Sequence, residues 1–297
     1  MSIVLGCDVK MSAEEFRLLR DMIHEHCGIR FDDDLKYLVE RRLAPRLALH
    51  DLGDFTAYHR FLRFSHDREK EMEAAVELLT TNETYFFREN YQLRAFSEEI
   101  LPELHDRNRS GKRLRIWSAG CSSGEEPYSI AILVLESGLF HGWNVEIFGN
   151  DISQKVLALA RGGEYASRSF RQTDEDVIRK WFEPCEKGLR VSEKARKLVT
   201  FGHLNLLDER RISLVGRVDV IFCRNVLIYF DKQAKLRVLR TFYDRLGRGG
   251  YLLLGHSESL MGLTADYELV HLEHDLVYRK PEGGQQHGWS TKIGDAS

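Results

Sequence analysis

Ile116-Trp117-Ser118-Ala119-Gly120-Cys121-Ser122-Ser123-Gly124-Glu125-Glu126-Pro127-Tyr128-Ser129 runs from an apolar, β-rich segment through small residues into a helical pattern. Small side chains let a ligand approach the backbone closely, and the start of the following helix offers free N–H groups. In open α/β sheets this first strand-to-helix turn lies at the ligand crevice. The glycines are spaced Gly120-x-x-x-Gly124, so the dinucleotide fingerprint G-x-G-x-x-G is absent.

Downstream, short apolar runs alternate with helical patterns. Strands are expected at Leu114–Trp117, Val145–Phe148, Val199–Phe201, Val218–Cys223 and Tyr251–Leu254. Val218–Cys223 is continuously apolar, as a strand covered on both faces should be. Helices are expected over Glu126–Leu135, from Ser153 to Gly162, and over Asp231–Leu246 with Gly247 as the stop. Leu269–Leu272 and Leu276–Tyr278 suit a closing hairpin. This alternation implies an α/β domain with a parallel sheet covered by helices on both faces. Residues 163–198 interrupt the rhythm with Tyr165, Phe170, Trp181, Phe182 and many charges, so a small inserted subdomain is expected there.

Upstream of Gly111 the chain reads as helical. Ser12 and Glu15 form a capping box, and Met11 with Phe16 a hydrophobic staple. Phe16, Leu19 and Ile23 share a helical face, and Gly28 is the stop. A second helix begins near Asp33 and meets Pro45, which either kinks it or starts its next turn. Phe55, Tyr58, Phe61 and Leu62, then Met72, Ala75, Val76 and Leu79, repeat the period. The expected organisation is a helical domain over 11–78, a linker over 79–110, and an α/β domain over 111–280 with 163–198 inserted. The glycine-rich tail over 281–297 is expected to be disordered.

The 297 residues carry 43 Lys+Arg against 46 Asp+Glu, a net charge of −3, with 43% hydrophobic and 10% aromatic residues. A disordered chain is excluded by that composition. Near-neutral charge argues against bulk nucleic-acid binding. No run of about 18 apolar residues exists, so no membrane span is expected. Met1–Lys10 has a short apolar stretch and no basic lead, so a secretory signal is not expected. Five widely spaced cysteines (Cys7, Cys27, Cys121, Cys185, Cys223) without a C-x-x-C suggest reduced thiols in a cytoplasmic protein, and no metal site. Cys121 in the glycine loop reads better as a small turn residue than as a nucleophile, having no histidine nearby in sequence.

Glu125 and Glu126 open the helix after the glycine loop. They repel a pyrophosphate and suit a ribose or a cation, such as the sulfonium and ammonium of S-adenosylmethionine (SAM). The same acids also complement the helix dipole, and the charge pattern leaves both roles open. Asp151 ends the second strand, where an acid can accept two ribose hydroxyl hydrogen bonds. Asn205, after the third strand, carries an amide able to read an adenine edge. Arg224 and Asn225 break an apolar run at the end of the fourth strand, and Tyr229 follows. Arg224 equally suits a structural salt bridge. Thr81, Asn82 and Thr84 precede Arg88, which stands at helical spacing from Thr84 and Thr81. Residues 35–70 hold eight basic and five acidic side chains, with Arg42 and Arg46 at i, i+4, a face able to steer an acidic partner.

Four segments then make a resemblance. Thr81–Arg88, Trp117–Ser129, Phe222–Phe230 and Leu254–Leu260, with the spacing between them, resemble the CheR family of bacterial chemotaxis receptor glutamate O-methyltransferases. The likeness covers about residues 12–280. It implies a helical N-terminal domain, a linker, and a Rossmann-like SAM-binding domain with a small inserted antiparallel β-subdomain. It also implies cofactor contacts from Asn82, Thr84, Arg88, Gly120, Glu125, Glu126, Asp151, Asn205, Leu206, Arg224 and Asn225. Arg88 and Tyr229 match the residues that position the acceptor carboxylate. S-adenosylhomocysteine is the implied product, and the implied partner is the cytoplasmic helical part of a chemotaxis receptor. Some members grip a receptor C-terminal peptide with the inserted segment, but the gripping residues have no match here. Competing readings are a SAM methyltransferase with another acceptor, a non-catalytic SAM or S-adenosylhomocysteine sensor, and a nucleotide-dependent oxidoreductase, which the missing fingerprint opposes.

Overall fold

A computed structural model describes residues 9–283. The leader stretch before Val9, Cys7, and the tail beyond Gly283 lie outside those residues.

Four helices form the N-terminal layer: α1 (Ala13–Cys27), α2 (Lys36–Leu49), α3 (Phe55–Phe64) and α4 (Arg68–Leu79). The capping box is present, with Glu15 N donating to Ser12 Oγ at 3.2 Å and Ser12 N to Glu15 Oε2 at 2.8 Å. Gly28 ends α1 with φ 75°, and its amide donates to His24 O. Pro45 lies within α2, which continues to Leu49. Phe16, Leu19, Ile23, Val39, Leu43, Leu47, Tyr58 and Val76 enclose a core of their own. The carboxylate of Glu71 is buried in it and accepts from Tyr58 Oη at 2.7 Å, from Arg46 Nε at 2.8 Å, and lies 2.7 Å from His50 Nε2. A buried charge survives because it is paired and hydrogen-bonded in this way.

This packing revises the basic face. Arg46 is spent on Glu71, and Arg42 donates to Leu79 O at 2.9 Å and Thr80 O at 3.3 Å, capping the end of α4. Lys36 donates to Met11 O at 2.5 Å. The i, i+4 pair at the heart of the expected patch is therefore internal.

Residues 80–89 are irregular, and α5 (Asn90–Ala95), a π turn (Phe96–Ile100) and α6 (Leu101–Arg107) follow as one continuous rod. Much of the expected linker is thus helix. Its apolar positions Leu93, Phe96, Ile100, Leu101 and Leu104 belong to the α/β core.

The α/β layer then runs β1 (Arg113–Ala119), α7 (Glu125–Glu136), β2 (Asn144–Asp151) and α8 (Gln154–Gly162). The insertion holds β3 (Glu164–Tyr165), α9 (Glu175–Trp181), β4 (Phe182–Cys185), β5 (Gly188–Val191) and α10 (Glu193–Arg196). It is followed by β6 (Val199–His203), α11 (Glu209–Ile212), β7 (Val218–Cys223), α12 (Lys232–Arg245), β8 (Leu246–Leu254), β9 (Glu268–His271) and β10 (Leu276–Arg279). The large sheet has the order β6-β2-β1-β7-β8-β10-β9, and a separate antiparallel sheet has the order β3-β5-β4. Only the pairs made by β10 are antiparallel in the large sheet, so β9 and β10 are the expected hairpin.

The chain steps outward from β1 through β2 to β6, then returns to the other side of β1 as β7. That reversal opens a crevice beyond the carboxyl ends of β1 and β7, where open α/β sheets bind ligands. Trp117, wholly buried on β1, donates its indole N–H to Asn150 Oδ1 at 2.6 Å, which satisfies both groups. α12 ends at Arg245, one residue before the expected end, and Leu246 both caps it and starts β8, earlier than expected. Its glycine-rich first half pairs with β7 through a register shift between Val218 and Val220, and Gly249 adopts φ 66° there.

Candidate functional site

A cavity of about 400 Å³ occupies the crevice. Its floor is the turn after β1 and the end of β7. Residues 79–85 with Phe87 and Arg88 form one wall, and Cys27, Ile29, Arg30, Phe31, Leu35 and Leu38 of the helical layer close the far side. Asn82, Thr84, Arg88, Gly120, Glu126, Asp151, Asn205, Leu206, Arg224, Asn225 and Tyr229 all line it.

Gly120 sits at φ 76°, and a Cβ there would lie 2.5 Å from Val226 Cγ2. Only glycine allows this turn and this approach. Asp151 ends β2 with each oxygen holding one amide, Ser122 N at 2.8 Å and Ser153 N at 2.9 Å. Each oxygen keeps acceptor capacity for a hydroxyl. Burial pushes the Asp151 pKa up, against the pull of those amides. Glu126 accepts from Ser118 Oγ at 2.7 Å and Arg224 Nη1 at 3.2 Å, and burial raises its pKa while Arg224 opposes the rise.

Arg224 also pairs with Glu89 at 3.2 Å and donates to the Arg88 carbonyl. The structural salt bridge and the pocket role therefore coincide in one residue. The Nε of Arg224 and the Oδ1 of Asn225 are buried without a hydrogen-bond partner. Buried polar atoms are nearly always paired, so an unused donor and an unused acceptor on one wall suit a ligand carrying both kinds of group. The amino-acid end of SAM has an ammonium and a carboxylate, and the acids beside it suit a cation.

Glu125 departs from expectation. It is 2% exposed, accepts from Ser123 Oγ at 2.7 Å and Ser169 Oγ at 3.0 Å, and does not line the cavity. Successive helical residues point about 100° apart, and here Glu126 faces the crevice while Glu125 turns away from it. Asn205 lines the cavity, yet its amide is engaged, Nδ2 donating to His26 O at 2.6 Å and Oδ1 accepting from Leu207 N at 3.0 Å. It ties the end of α1 to the loop after β6.

Thr81 and Asn82 cap no helix. The 80–85 segment is irregular, and Phe87 and Glu89 adopt φ 57° and 56°. Arg88 reaches the cavity without helical spacing, its Nη1 donating to Glu83 O at 3.1 Å. Tyr229 stands at the mouth, 37% exposed. Cys121 is buried, and burial with the neighbouring acids pushes its thiol pKa well up, which suits a turn-filler and not a nucleophile. Among the described residues no group of three or more His, Cys, Asp or Glu side chains could hold a metal ion.

Sequence reasoning missed Glu89, Ser118 and Glu258, all in or beside quoted motifs. Glu89 lies one position past the first motif, and its partner Arg224 is far along the chain.

A doubly wound sheet with a glycine turn, a strand-end aspartate and an acid-lined switch point is the arrangement of Rossmann-like SAM-dependent methyltransferases. The chain belongs to the CheR methyltransferase family: residues 82–276 match its SAM binding domain and residues 14–80 its all-alpha domain. It is 36% identical to the chemotaxis protein methyltransferase 2 of Vibrio cholerae over 280 residues, 94% of this chain and 96% of that protein. It is 37% identical to the chemotaxis protein methyltransferase of Vibrio parahaemolyticus over 278 residues, 91% of this chain and 98% of that one. A chemotaxis protein methyltransferase 1 of Pseudomonas aeruginosa is 35% identical over 277 residues, 89% and 97% of the two chains. SAM is accordingly the cofactor. No helix of the described residues is long and apolar enough to cross a membrane.

Proposed function

We propose that this enzyme methylates glutamate side chains of chemotaxis receptors, giving the glutamate 5-O-methyl ester and S-adenosylhomocysteine. The observation that carries the reading is the joint placement of Glu126, Asp151 and Asn225 around one switch-point cavity, with Arg88 and Tyr229 on the same lining. The family supports the acceptor class.

Bound SAM supplies an electrophilic methyl group. Asp151 holds the ribose hydroxyls, and Glu126 with Asn225 Oδ1 holds the ammonium. Arg224 fixes Glu126, Asn205 and Leu206 flank the adenine, and Asn82 and Thr84 close the linker wall. Gly120 admits the ligand close to the backbone. The acceptor carboxylate is ionised at neutral pH, its ordinary pKa being about 4.3, so no general base is needed. The protein's main task is alignment, which can supply about 7–11 kcal/mol, followed by partial desolvation of the carboxylate. Arg88 and Tyr229 orient that carboxylate. A clamp equally tight in ground and transition states would not raise turnover, and Arg88 is shared with Glu83 O, which moderates its grip.

We infer a division of the chain into helices over 11–78, a linker over 79–110 that begins with the pocket wall, and a cofactor domain over 111–280. The inserted sheet ends in the strand β4, whose free edge suits addition of an extended receptor C-terminal peptide. The receptor's cytoplasmic helices place the reaction in the cytoplasm. The test is incubation with methyl-labelled SAM and receptor-bearing membranes. Label released as methanol by mild base identifies the ester, and base-resistant label overturns the glutamate assignment.

A further inference from the structure

The motif Leu254-Gly255-His256-Ser257-Glu258-Ser259-Leu260 contributes no residue to the cavity lining. Its glutamate follows β8, and its carboxylate gathers four backbone amides. Oε2 accepts from Gly255 N at 2.7 Å and Asn225 N at 2.8 Å, and Oε1 from Val226 N at 3.0 Å and Ile228 N at 3.2 Å.

Three of those amides belong to the loop after β7, which opens the single 3-10 turn Leu227–Tyr229. Amides at the start of a helical turn have no acceptor within it. An ionised carboxylate offers about four lone-pair sites and no donor, so it matches four converging N–H groups. Glutamine has one oxygen, and its NH₂ would confront two of them. The loop needs such a hold, because Asn225 stands at φ 59°, a region that non-glycine residues visit at a cost. From the other side, a Cβ on Gly255 would lie 2.7 Å from Asn225 N and 2.8 Å from Glu258 Oε2. The two loops are thus clasped with no room between them.

We propose that Glu258 is a positioning residue for methyl transfer, acting through the amides of Asn225, Val226 and Ile228 to set Asn225 against the cofactor and Tyr229 against the acceptor. The proposal rests on the acceptor role of Tyr229 given above. Burial raises the Glu258 pKa, and the amides of the loop it organises oppose that rise.

The experiment uses the full chain and receptor-bearing membranes, with turnover expressed per S-adenosylhomocysteine-binding site counted by calorimetry. Glu258→Gln should lower kcat per site at least tenfold, with a smaller rise in the KM for SAM, because Asn225 is one of several cofactor contacts and the acceptor depends on the displaced Tyr229. Tyr229→Phe should cost at least threefold less in the Glu258→Gln background than alone, since the ring is then already displaced. Gly255→Ala pushes on the same clasp and should reproduce the kcat loss, which keeps the test open if Glu258→Gln does not fold. If Glu258→Gln lowers only the number of binding sites and the melting temperature, with kcat per site unchanged and effects multiplying with Tyr229→Phe, the positioning role is overturned. A wild-type chain that forms no receptor ester overturns the functional reading and this inference with it. Wild-type ester formation with an unaltered Glu258→Gln overturns this inference alone.

Discussion

Arg224, just past the end of β7, meets Glu126 in the first turn of α7, Nη1 to Oε2 at 3.2 Å, with side chains 3% and 14% exposed. Glu89 flanks the same guanidinium at 3.2 Å. One cation stands between two acids in this cluster, and Asp151 adds a further acid at the end of β2, while Arg30 and Arg88 lie elsewhere on the cavity lining. The local acidity beside Arg224 suits the ammonium of a sulfonium nucleoside.

Arg224→Met should therefore do more than weaken binding. It strands two enclosed carboxylates, and breaking a buried pair typically costs about 3–5 kcal/mol. Denaturant unfolding of the cofactor-free protein should show that loss, and calorimetry should show SAM affinity reduced.

Asp151→Ala should weaken SAM binding at least tenfold, about 1.4 kcal/mol. The same change releases the amides of Ser122 and Ser153, so it also lowers thermal stability. Unchanged affinity by calorimetry would remove the ribose role.

Burial raises the pKa of both Glu126 and Asp151. The folded chain then binds protons more readily than the unfolded one. Stability of the cofactor-free protein should fall as pH rises from the ordinary carboxylate value through the raised folded value. Cationic SAM favours the ionised forms, so its affinity should rise over that same window. Glu126→Gln should flatten the affinity profile, measured by calorimetric titrations on the acid side of neutrality.

Gly120→Ala places a methyl 2.5 Å from Val226 at φ 76°. Backbone strain and a blocked crevice act together there, so the variant should melt lower and bind no measurable SAM.

Arg88→Ala should lose most receptor methylation, and Tyr229→Phe less, because the phenyl ring keeps its place and loses only the hydroxyl. Full turnover by Arg88→Ala in the labelled-methyl assay would end its assignment.

The sheet was legible because buried parallel strands are apolar runs, and Val218–Cys223 has the same bounds in sequence and structure. The first half of β8 was not, since Leu246-Gly-Arg-Gly-Gly reads as a turn and becomes strand only by bulging out against β7. That Gly120, Glu126, Asp151 and Arg224 line the crevice was legible from their places at strand ends and in the first turn of α7. Glu125 turns to Ser123 and Ser169 instead of the crevice, because a helix turns consecutive side chains apart and adjacency in sequence does not set a shared direction. Arg88 lines the cavity from an irregular segment, so its spacing from Thr84 and Thr81 carries no helical meaning. The Glu258 clasp spans about thirty residues between two loops and leaves no periodic trace.

Residues 80–88 are fastened at both ends. Arg42 of α2 donates to the carbonyls of Leu79 and Thr80, while Phe86 packs among Tyr165, Phe170 and Phe182 and donates its amide to Ser169 O at 2.9 Å. Arg171, from the insertion, lies 3.8 Å over the Tyr85 ring and pairs with Glu83 at 2.8 Å. The strip that walls the cofactor is thus common property of the helical layer and the inserted sheet. The molecule is indivisible there: severing it near residue 80, or excising the small sheet to make a minimal enzyme, would unmoor the pocket even with every ligand-facing side chain retained.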